Sequence, residues 1–486
     1  MIHCYKLCGY NIVLDIASGS IHVVDDVAYY VINTYESIID GNDIRVLIDR
    51  VKAKFNDLSE RAILDVVDDI QKLISRRKLF SPDNFAAVIN KDKLAPLSAL
   101  CLNVSHSCNM SCAYCFAGHG DNTYDNTNKN NKYLMDLETG KCAIDFLVGQ
   151  SGDRKVLDVD FFGGEPLLNW QVIKDIVVYA RELERKTGKK FRFTLTTNGL
   201  LIDDDVINFT NSQMHNVVLS LDGRPEIHDL MRKLLNDKGS YCAVVDNIKK
   251  LVKARRGKGY YIRGTFTRNN MDFVNDILHI AGLGFKEISM EPVVPGISIT
   301  HGHEDIKNGK ADDPPHCFGP DDLHELYKQY ETLAALMLRL EKTGTGFNFY
   351  HFNLDLTGGP CVYKRINGCG VGTEYMAVTP SGELYPCHQF IGDDKFLMGD
   401  VRRGVTNIDL RNEFLTCGIF SRNECRTCWA RYYCSGGCAA NSYSAGGSIN
   451  GIYKTGCELF KKRIECAIMM KAAMVEGKQV LRTVNN

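Results

Sequence analysis

The sequence predicts an α/β chain whose middle is an open (β/α)6 barrel, a partial TIM barrel, set between a small N-terminal unit and a cysteine-rich C-terminal module. Three observations predict it. From Leu100 to about Pro292, six β-type runs alternate with helical ones, the order that parallel crossovers impose. Before residue 85 a hairpin signal precedes three helical patterns. Ten of the nineteen cysteines (Cys361, Cys369, Cys387, Cys417, Cys425, Cys428, Cys434, Cys438, Cys457, Cys466) crowd into the last quarter. The expected units are 1–85, a linker at 86–98, the barrel at 99–292, a bridging region at 293–345, and the cysteine module at 346–486, which ends in a helix.

Composition narrows the function. Of 486 residues, 44% are hydrophobic and 24% charged, as in an ordinary globular protein. A net charge of −1, from 58 basic and 59 acidic residues, argues against nucleic-acid or polybasic membrane binding. Met1-Ile2-His3-Cys4-Tyr5-Lys6 lacks the layout of a signal peptide, and no apolar run is long enough to span a bilayer. The expectation is therefore a cytoplasmic protein. In a reducing compartment, nineteen cysteines point to metal sites or catalysis more than to disulfides.

In the N-terminal unit, Asn11-Ile12-Val13-Leu14-Asp15-Ile16 alternates, Ala17-Ser18-Gly19-Ser20 turns, and Ile21-His22-Val23-Val24-Asp25 returns, which is a hairpin signal. Helical patterns follow at about 26–39 and 44–55. A third carries Leu58, Ala62, Leu64, Val67, Ile70, Leu73 and Ile74. A hairpin with three helices resembles the winged-helix peptide-recognition domain of peptide-modifying enzymes. The resemblance implies a leader peptide added as a strand to its sheet edge; a plain N-terminal cap fits the pattern too.

Barrel strands are expected at 100–105, 156–162, 191–197, 216–221, 260–266 and 285–291, and helices near 137–149, 170–186, 203–211, 240–254 and 271–282. Chemistry then belongs at the C-terminal ends of the strands. Directly after the first strand stands Ser107-Cys108-Asn109-Met110-Ser111-Cys112-Ala113-Tyr114-Cys115-Phe116. Its C-x3-C-x2-C spacing offers three thiolates where an iron–sulfur cube normally takes four; three free thiols, or a zinc loop short of a ligand, are the plainer readings. The Asn-, Asp- and Gly-rich loop from Gly118 to Lys132 is expected to be a mobile lid or disordered.

This stretch closely resembles the signature of radical S-adenosylmethionine (SAM) enzymes. The resemblance implies that Cys108, Cys112 and Cys115 hold a 4Fe–4S cluster whose open iron is chelated by SAM, with Tyr114 beside it, and that an electron cleaves SAM to a 5′-deoxyadenosyl radical. Gly163-Gly164-Glu165-Pro166, after the second strand, matches the family's GGEP motif, with Glu165 accepting the SAM ammonium. Thr196-Thr197-Asn198-Gly199 and Ser220-Leu221-Asp222-Gly223 follow in register, and the family carries Asn198, Ser220 and Asp222 to SAM. Arg263 is a candidate for the SAM carboxylate, since a guanidinium pairs with it bidentately. Glu291 ends the sixth strand without an assigned role. His228-Asp229-Leu230-Met231-Arg232 looks like the family as well, and an ion pair on a helix surface accounts for it equally. His301, His303, His316 and Cys317, in the bridging region, suggest a metal by residue type but read better as a solvated loop, followed by a helix from about Asp321 to Lys342.

At the C-terminal end, Cys369, Gly382 and Cys387 are followed by Cys425-x2-Cys428-x5-Cys434-x3-Cys438 and then Cys457. Glu374–Thr379 and Glu383–Cys387 read as a hairpin around Pro380-Ser381-Gly382. The seven-cysteine pattern resembles the SPASM domain, with zinc as the other chemistry such cysteine pairs serve. The resemblance implies two auxiliary 4Fe–4S clusters: an outer one on Cys425, Cys428, Cys434 and Cys457, and an inner one with three ligands from Cys369, Cys387 and Cys438. If Cys361 completes the inner cluster, the arrangement is that of anaerobic sulfatase maturases, which oxidise Cys or Ser to formylglycine. If it does not, a substrate thiolate can occupy the open iron. The deoxyadenosyl radical then takes hydrogen from an acceptor carbon, the carbon radical attacks the bound sulfur, and a thioether results. Tyr10-Asn11-Ile12-Val13-Leu14-Asp15, Val23-Val24-Asp25-Asp26-Val27 and Gly359-Pro360-Cys361-Val362-Tyr363-Lys364-Arg365 are similar to maturases of six-cysteine (SCIFF-type, ranthipeptide) precursors, which make such links. Implied partners are a cysteine-containing precursor peptide and an external low-potential electron donor. A zinc-rich, non-enzymatic peptide adaptor is the remaining alternative. Cys4, Cys8, Cys101, Cys142, Cys242, Cys417 and Cys466 read as small buried hydrophobes.

Overall fold

The computed structural model describes residues 1–39, 44–88, 95–115, 134–294, 316–356, 365–366 and 368–484. The N-terminal unit is a sheet of three antiparallel strands, β1 (Ile2–Leu7), β2 (Tyr10–Asp15) and β3 (Ile21–Val24), in that order. The sequence reading found only the β2–β3 hairpin. β1 escaped it because Cys8-Gly9, both at positive φ (49° and 84°), makes a two-residue turn without the Asn-Gly or Asp-Gly that usually announces one. Helices α1 (Asp26–Ile39), α2 (Ile44–Lys54) and α3 (Glu60–Ser75) lie where expected, α3 capped by Ser59 Oγ accepting from Ala62 N at 3.2 Å. The alternation of β2 divides its side chains between two cores. Val13 joins Val31, Val51, Ile63 and Val67 on the helical side, while Ile12 and Leu14 face the main core.

The central sheet begins with six parallel strands in the order β4 (Ala99–Ser105), β6 (Val156–Gly163), β7 (Lys190–Thr197), β8 (Asn216–Ser220), β10 (Gly259–Phe266) and β11 (Glu287–Pro292). A separate two-stranded ribbon pairs β5 (Met110–Cys112) with β9 (Arg232–Leu234). The barrel stays open, because both sheet edges are extended instead of joined. β12 (Asn348–Phe349) pairs with β11, and β13 (Tyr375–Val378) pairs in parallel with β4. β14 (Glu383–Tyr385), β15 (Gly399–Asp400) and β16 (Gly404–Val405) then continue antiparallel. The cysteine-rich segment thus shares a hydrogen-bonded sheet with the barrel.

Two long helices, Leu323–Lys342 and Lys454–Val484, pack together behind this sheet. Among the described residues no helix is long and apolar enough to cross a membrane. His301, His303 and the Gly118–Lys132 loop lie outside the described residues. Cys317 departs from the solvated-loop reading: it is 2% exposed, in the main core. Of the cysteines read as buried, Cys101 and Cys466 are so, and Cys4, Cys142 and Cys417 are half-buried. Cys8 and Cys242 are exposed, Cys8 because it sits at the β1–β2 turn and Cys242 in the first turn of helix Tyr241–Arg255.

Candidate functional site

A cavity of about 740 Å³ opens between the barrel and the cysteine-rich segment. Cys108, Cys112 and Cys115 lie on one side, and Cys369, Cys434, Cys438 and Cys457 also line it. The first three are held by backbone. Cys112 ends β5 opposite Arg232, Ala113 N donates to Met231 O at 2.8 Å, and Cys115 N donates to Cys112 O at 3.1 Å. Gly164 N and Glu165 N donate to Ser105 O (2.8 Å) and Ser107 O (2.9 Å). That contact explains both glycines. A Cβ on Gly163 (φ 136°) would stand 2.1 Å from Ser105 O, and one on Gly164 2.4 Å from Ser107 O. They let the second strand end pack on the loop entering the cysteine motif.

Glu165 is fully buried from bulk solvent yet borders the cavity. Its Oε1 accepts from Leu167 N (3.0 Å) and Thr197 Oγ1 (2.8 Å), and its Oε2 from Asn198 N (2.8 Å). Burial pushes its pKa up to about 7 against these donors, so a cation arriving beside it would restore the charge. Asn198 Nδ2 donates to Asn109 Oδ1 at 2.7 Å and lies 3.9 Å from Cys108 Sγ. Ser220 and Arg263 also face the cavity.

Asp222 does not line it. Fully buried, it accepts from Tyr114 OH (2.5 Å), Arg232 Nε (3.0 Å) and Thr265 N (3.0 Å). Arg232 reaches the cavity from β9, so the His228–Arg232 stretch is not a surface ion pair. His228 is fully buried, with Nδ1 accepting from Asp222 N (3.3 Å) and Nε2 facing Ser240 Oγ (2.9 Å). Asp229 Oδ1 accepts from Tyr241 N at 2.7 Å, which caps the next helix. The spacing of Arg232 from Asp222 was the one available signal, and sequence alone gave the ion pair no direction.

A second polar group went unseen. Glu291 lies 3.2 Å from His351 Nε2 and 3.6 Å from Arg463, and Arg463 Nη1 is 3.0 Å from His351 Nδ1. Burial opposes the Glu291 charge, yet His351, Arg463 and Arg263 hold its carboxyl well below the usual range. Its members come from three distant segments, so no local motif announces it.

The C-terminal cysteines fall into two groups. Cys434, pushed up to about 12 by burial, has Cys457, Cys425 and Cys428 as its neighbours. Cys387, fully buried and raised well above its ordinary value, has Cys438 and Cys369. Ser435, Gly436 and Gly437, all at positive φ (57°, 87°, 77°), turn the chain between Cys434 of one group and Cys438 of the other. Cys361 lies outside the described residues. Among the described residues no three His, Cys, Asp or Glu side chains come close enough to share one metal ion.

Residues 102–278 match the radical SAM superfamily, a family that uses SAM with a 4Fe–4S cluster. The donor set fits: three thiols on one loop and a buried carboxylate share one cavity wall. A cysteine-type anaerobic sulfatase-maturating enzyme of Clostridium perfringens (strain 13 / Type A) is 24% identical over 357 residues, 71% of this chain and 89% of that protein. The uncharacterized protein MJ0907 of Methanocaldococcus jannaschii is 30% identical over 198 residues, 40% of this chain; the chain spans only 63% of its length. The solved structure of native anSMEcpe with bound AdoMet shares the fold, with a TM-score of 0.60 at 23% identity, covering 80% of this chain and 100% of that one.

Proposed function

We propose that the chain is a peptide maturase that installs thioether links, Cys sulfur to carbon, in a cysteine-containing precursor peptide. The observation that carries it is one cavity lined by Cys108, Cys112 and Cys115 and also by Cys369 and Cys438. One bound peptide can therefore reach both cysteine sets. Cys108, Cys112 and Cys115 would hold the SAM cluster, Cys425, Cys428, Cys434 and Cys457 an outer auxiliary cluster, and Cys369, Cys387 and Cys438 an inner one, the last two groups forming a SPASM domain. When bound, SAM and these clusters supply a deoxyadenosyl radical, an iron for a substrate thiolate and a sink for the surplus electron, which an external low-potential donor primes.

The protein's own residues bind and orient. Glu165 takes the SAM ammonium, Asn198 and Ser220 its polar parts, and Arg263 its carboxylate. Asp222 fixes Tyr114 and Arg232 at the rim. Among the described residues β3 is an edge strand of the N-terminal sheet, which suits a leader peptide added as a strand. About a fifth of the chain has no counterpart in anSMEcpe, since the match covers 80% of this chain and all of that one. The extra length supports a substrate handled differently from a sulfatase.

A second reading has its own support. The sulfatase-maturating relative aligns over 71% of this chain, and formylglycine formation from Cys or Ser would use the same cavity. Anaerobic incubation of the reconstituted protein with reductant, SAM and a cysteine-rich peptide encoded beside its gene separates them. A peptide lighter by two hydrogen atoms per link, with the linked cysteines resistant to alkylation, supports the thioether. An aldehyde that reacts with hydrazide at a former Cys or Ser supports the second reading.

A further inference from the structure

A buried cation stands between the two C-terminal cysteine groups. Arg422 is 3% exposed and precedes the short helix Asn423–Arg426 that carries Cys425, whose N–H donates to Arg422 O at 3.1 Å. Its Nη2 donates to Ile449 O at 2.6 Å and reaches Cys417 Sγ at 3.4 Å. Its Nη1 lies 3.3 Å from where a Cβ on Gly436 would stand, against the turn that parts Cys434 from Cys438. Its Nε is buried with no hydrogen-bond partner. Among the described residues it forms no ion pair with Asp or Glu. Cys417 and Cys425 both lie in its field, and Cys417 in turn neighbours Cys438 and Cys369.

A desolvated guanidinium without a counter-charge is strongly unfavourable, and buried charges are found paired or beside metal centres. The negative partner missing from the side chains is what thiolate-ligated iron–sulfur clusters provide on both flanks. We propose that Arg422 is the shared counter-charge of the two auxiliary clusters, a positioning residue that holds their ligand loops together and raises the reduction potential of both. The proposal rests on the cluster assignment above. Its physical basis is that a nearby cation favours the more negative, reduced state, one of the levers by which proteins set cluster potentials.

The test uses full-length protein with Cys108, Cys112 and Cys115 changed to Ala, so that every iron signal comes from the C-terminal groups. Into this parent go Arg422→Met, close in length without charge, and Arg422→Lys, which keeps the charge. Iron and sulfide content and an EPR-monitored redox titration are measured on all three. The expected result is a downward shift of the auxiliary potentials in Arg422→Met, with Arg422→Lys staying near the parent. Iron loss in Arg422→Met that Arg422→Lys prevents supports the same role. Unchanged potentials in Arg422→Met overturn it, as does equal iron loss in both variants, which marks packing alone. A parent without iron and sulfide overturns the cluster assignment itself, and the role of Arg422 with it.

Discussion

Tyr114 and Asp222, 108 residues apart, meet through a hydrogen bond of 2.5 Å that joins the cysteine loop to the end of β8. Asp222 is fully buried and Tyr114 half-buried, and Arg232 shares the carboxylate. Tyr114→Phe removes the donor and leaves Asp222 with Arg232 and Thr265 N. A hydrogen bond to a charged, buried acceptor contributes about 1.5–3 kcal/mol. Chemical denaturation should show a loss of that size for Tyr114→Phe, and the double variant with Asp222→Asn should fall short of the sum of the two singles. Strict additivity would mean that the two side chains act separately.

With Glu165 in its proposed place at the SAM ammonium, SAM binding should depend on pH. Its pKa stands near 7, raised by burial from an ordinary 4.5. An ammonium pairs with the carboxylate and not with the acid, so SAM affinity should weaken as pH falls below about 7. The sign for folding is opposite. The folded chain holds this proton more tightly than the unfolded one, so the group costs stability above pH 7, and the cost fades between 7 and 4.5. Calorimetric titration of the protein with SAM should show both the pH trend and an affinity loss of about ten- to a hundredfold in Glu165→Gln. A pH-independent affinity would place the ammonium elsewhere.

Gly164→Ala should be among the costliest single substitutions, about 3 kcal/mol or more, because its Cβ meets the backbone carbonyl of Ser107 at 2.4 Å. Gly188 makes the control. It caps its helix at φ 70° with nothing within 4 Å of a Cβ, so Gly188→Ala should cost only about 1 kcal/mol. Thermal melts of the two variants decide, and iron content should fall in Gly164→Ala alone.

Much of this was legible in the chain. Periodicity found the six barrel strands, because each is a compact apolar run between helices of ordinary length. Spacing found the cysteines, since C-x3-C-x2-C and C-x2-C-x5-C-x3-C are local patterns. What escaped was assembled from afar. Glu291, His351 and Arg463 have no local grammar, and Asp222 looked like a ligand contact when it is a buried support. Gly163-Gly164 was legible as part of a motif, but the Ser105–Ser107 backbone that requires both glycines was not. β1 lacked the usual turn residues, and Cys8 went with it.

The N-terminal unit is seated on the cysteine-rich segment, and that seat is testable. Asp83 pairs with Arg431, which is 6% exposed, and accepts from Tyr432 OH at 2.8 Å. His3 stacks on Trp429 with ring centroids 3.7 Å apart, and its Nε2 lies 3.0 Å from Glu465. Removing Asp83 takes the carboxylate partner from the buried Arg431, a loss of about 1–3 kcal/mol. Asp83→Ala should therefore lower the unfolding free energy by about that amount and open residues 81–88 to limited proteolysis. An unchanged cleavage pattern would show that His3 and Trp429 hold the unit unaided.

The parallel pairing of β13 with β4 makes the sheet a ruler. Only β13 separates β4, which runs into the Cys108 loop, from β14, which runs into Cys387. Neighbouring strands keep a pitch of about 4.8 Å, so the two carriers stand about two pitches apart and cannot slide without breaking the ladder between them. β14 runs antiparallel to β13 and so to β4, with Tyr385 level with Ala377 and Cys101, so the Cys108 loop and Cys387 follow opposite directions of a ladder whose lateral spacing is held by backbone hydrogen bonds.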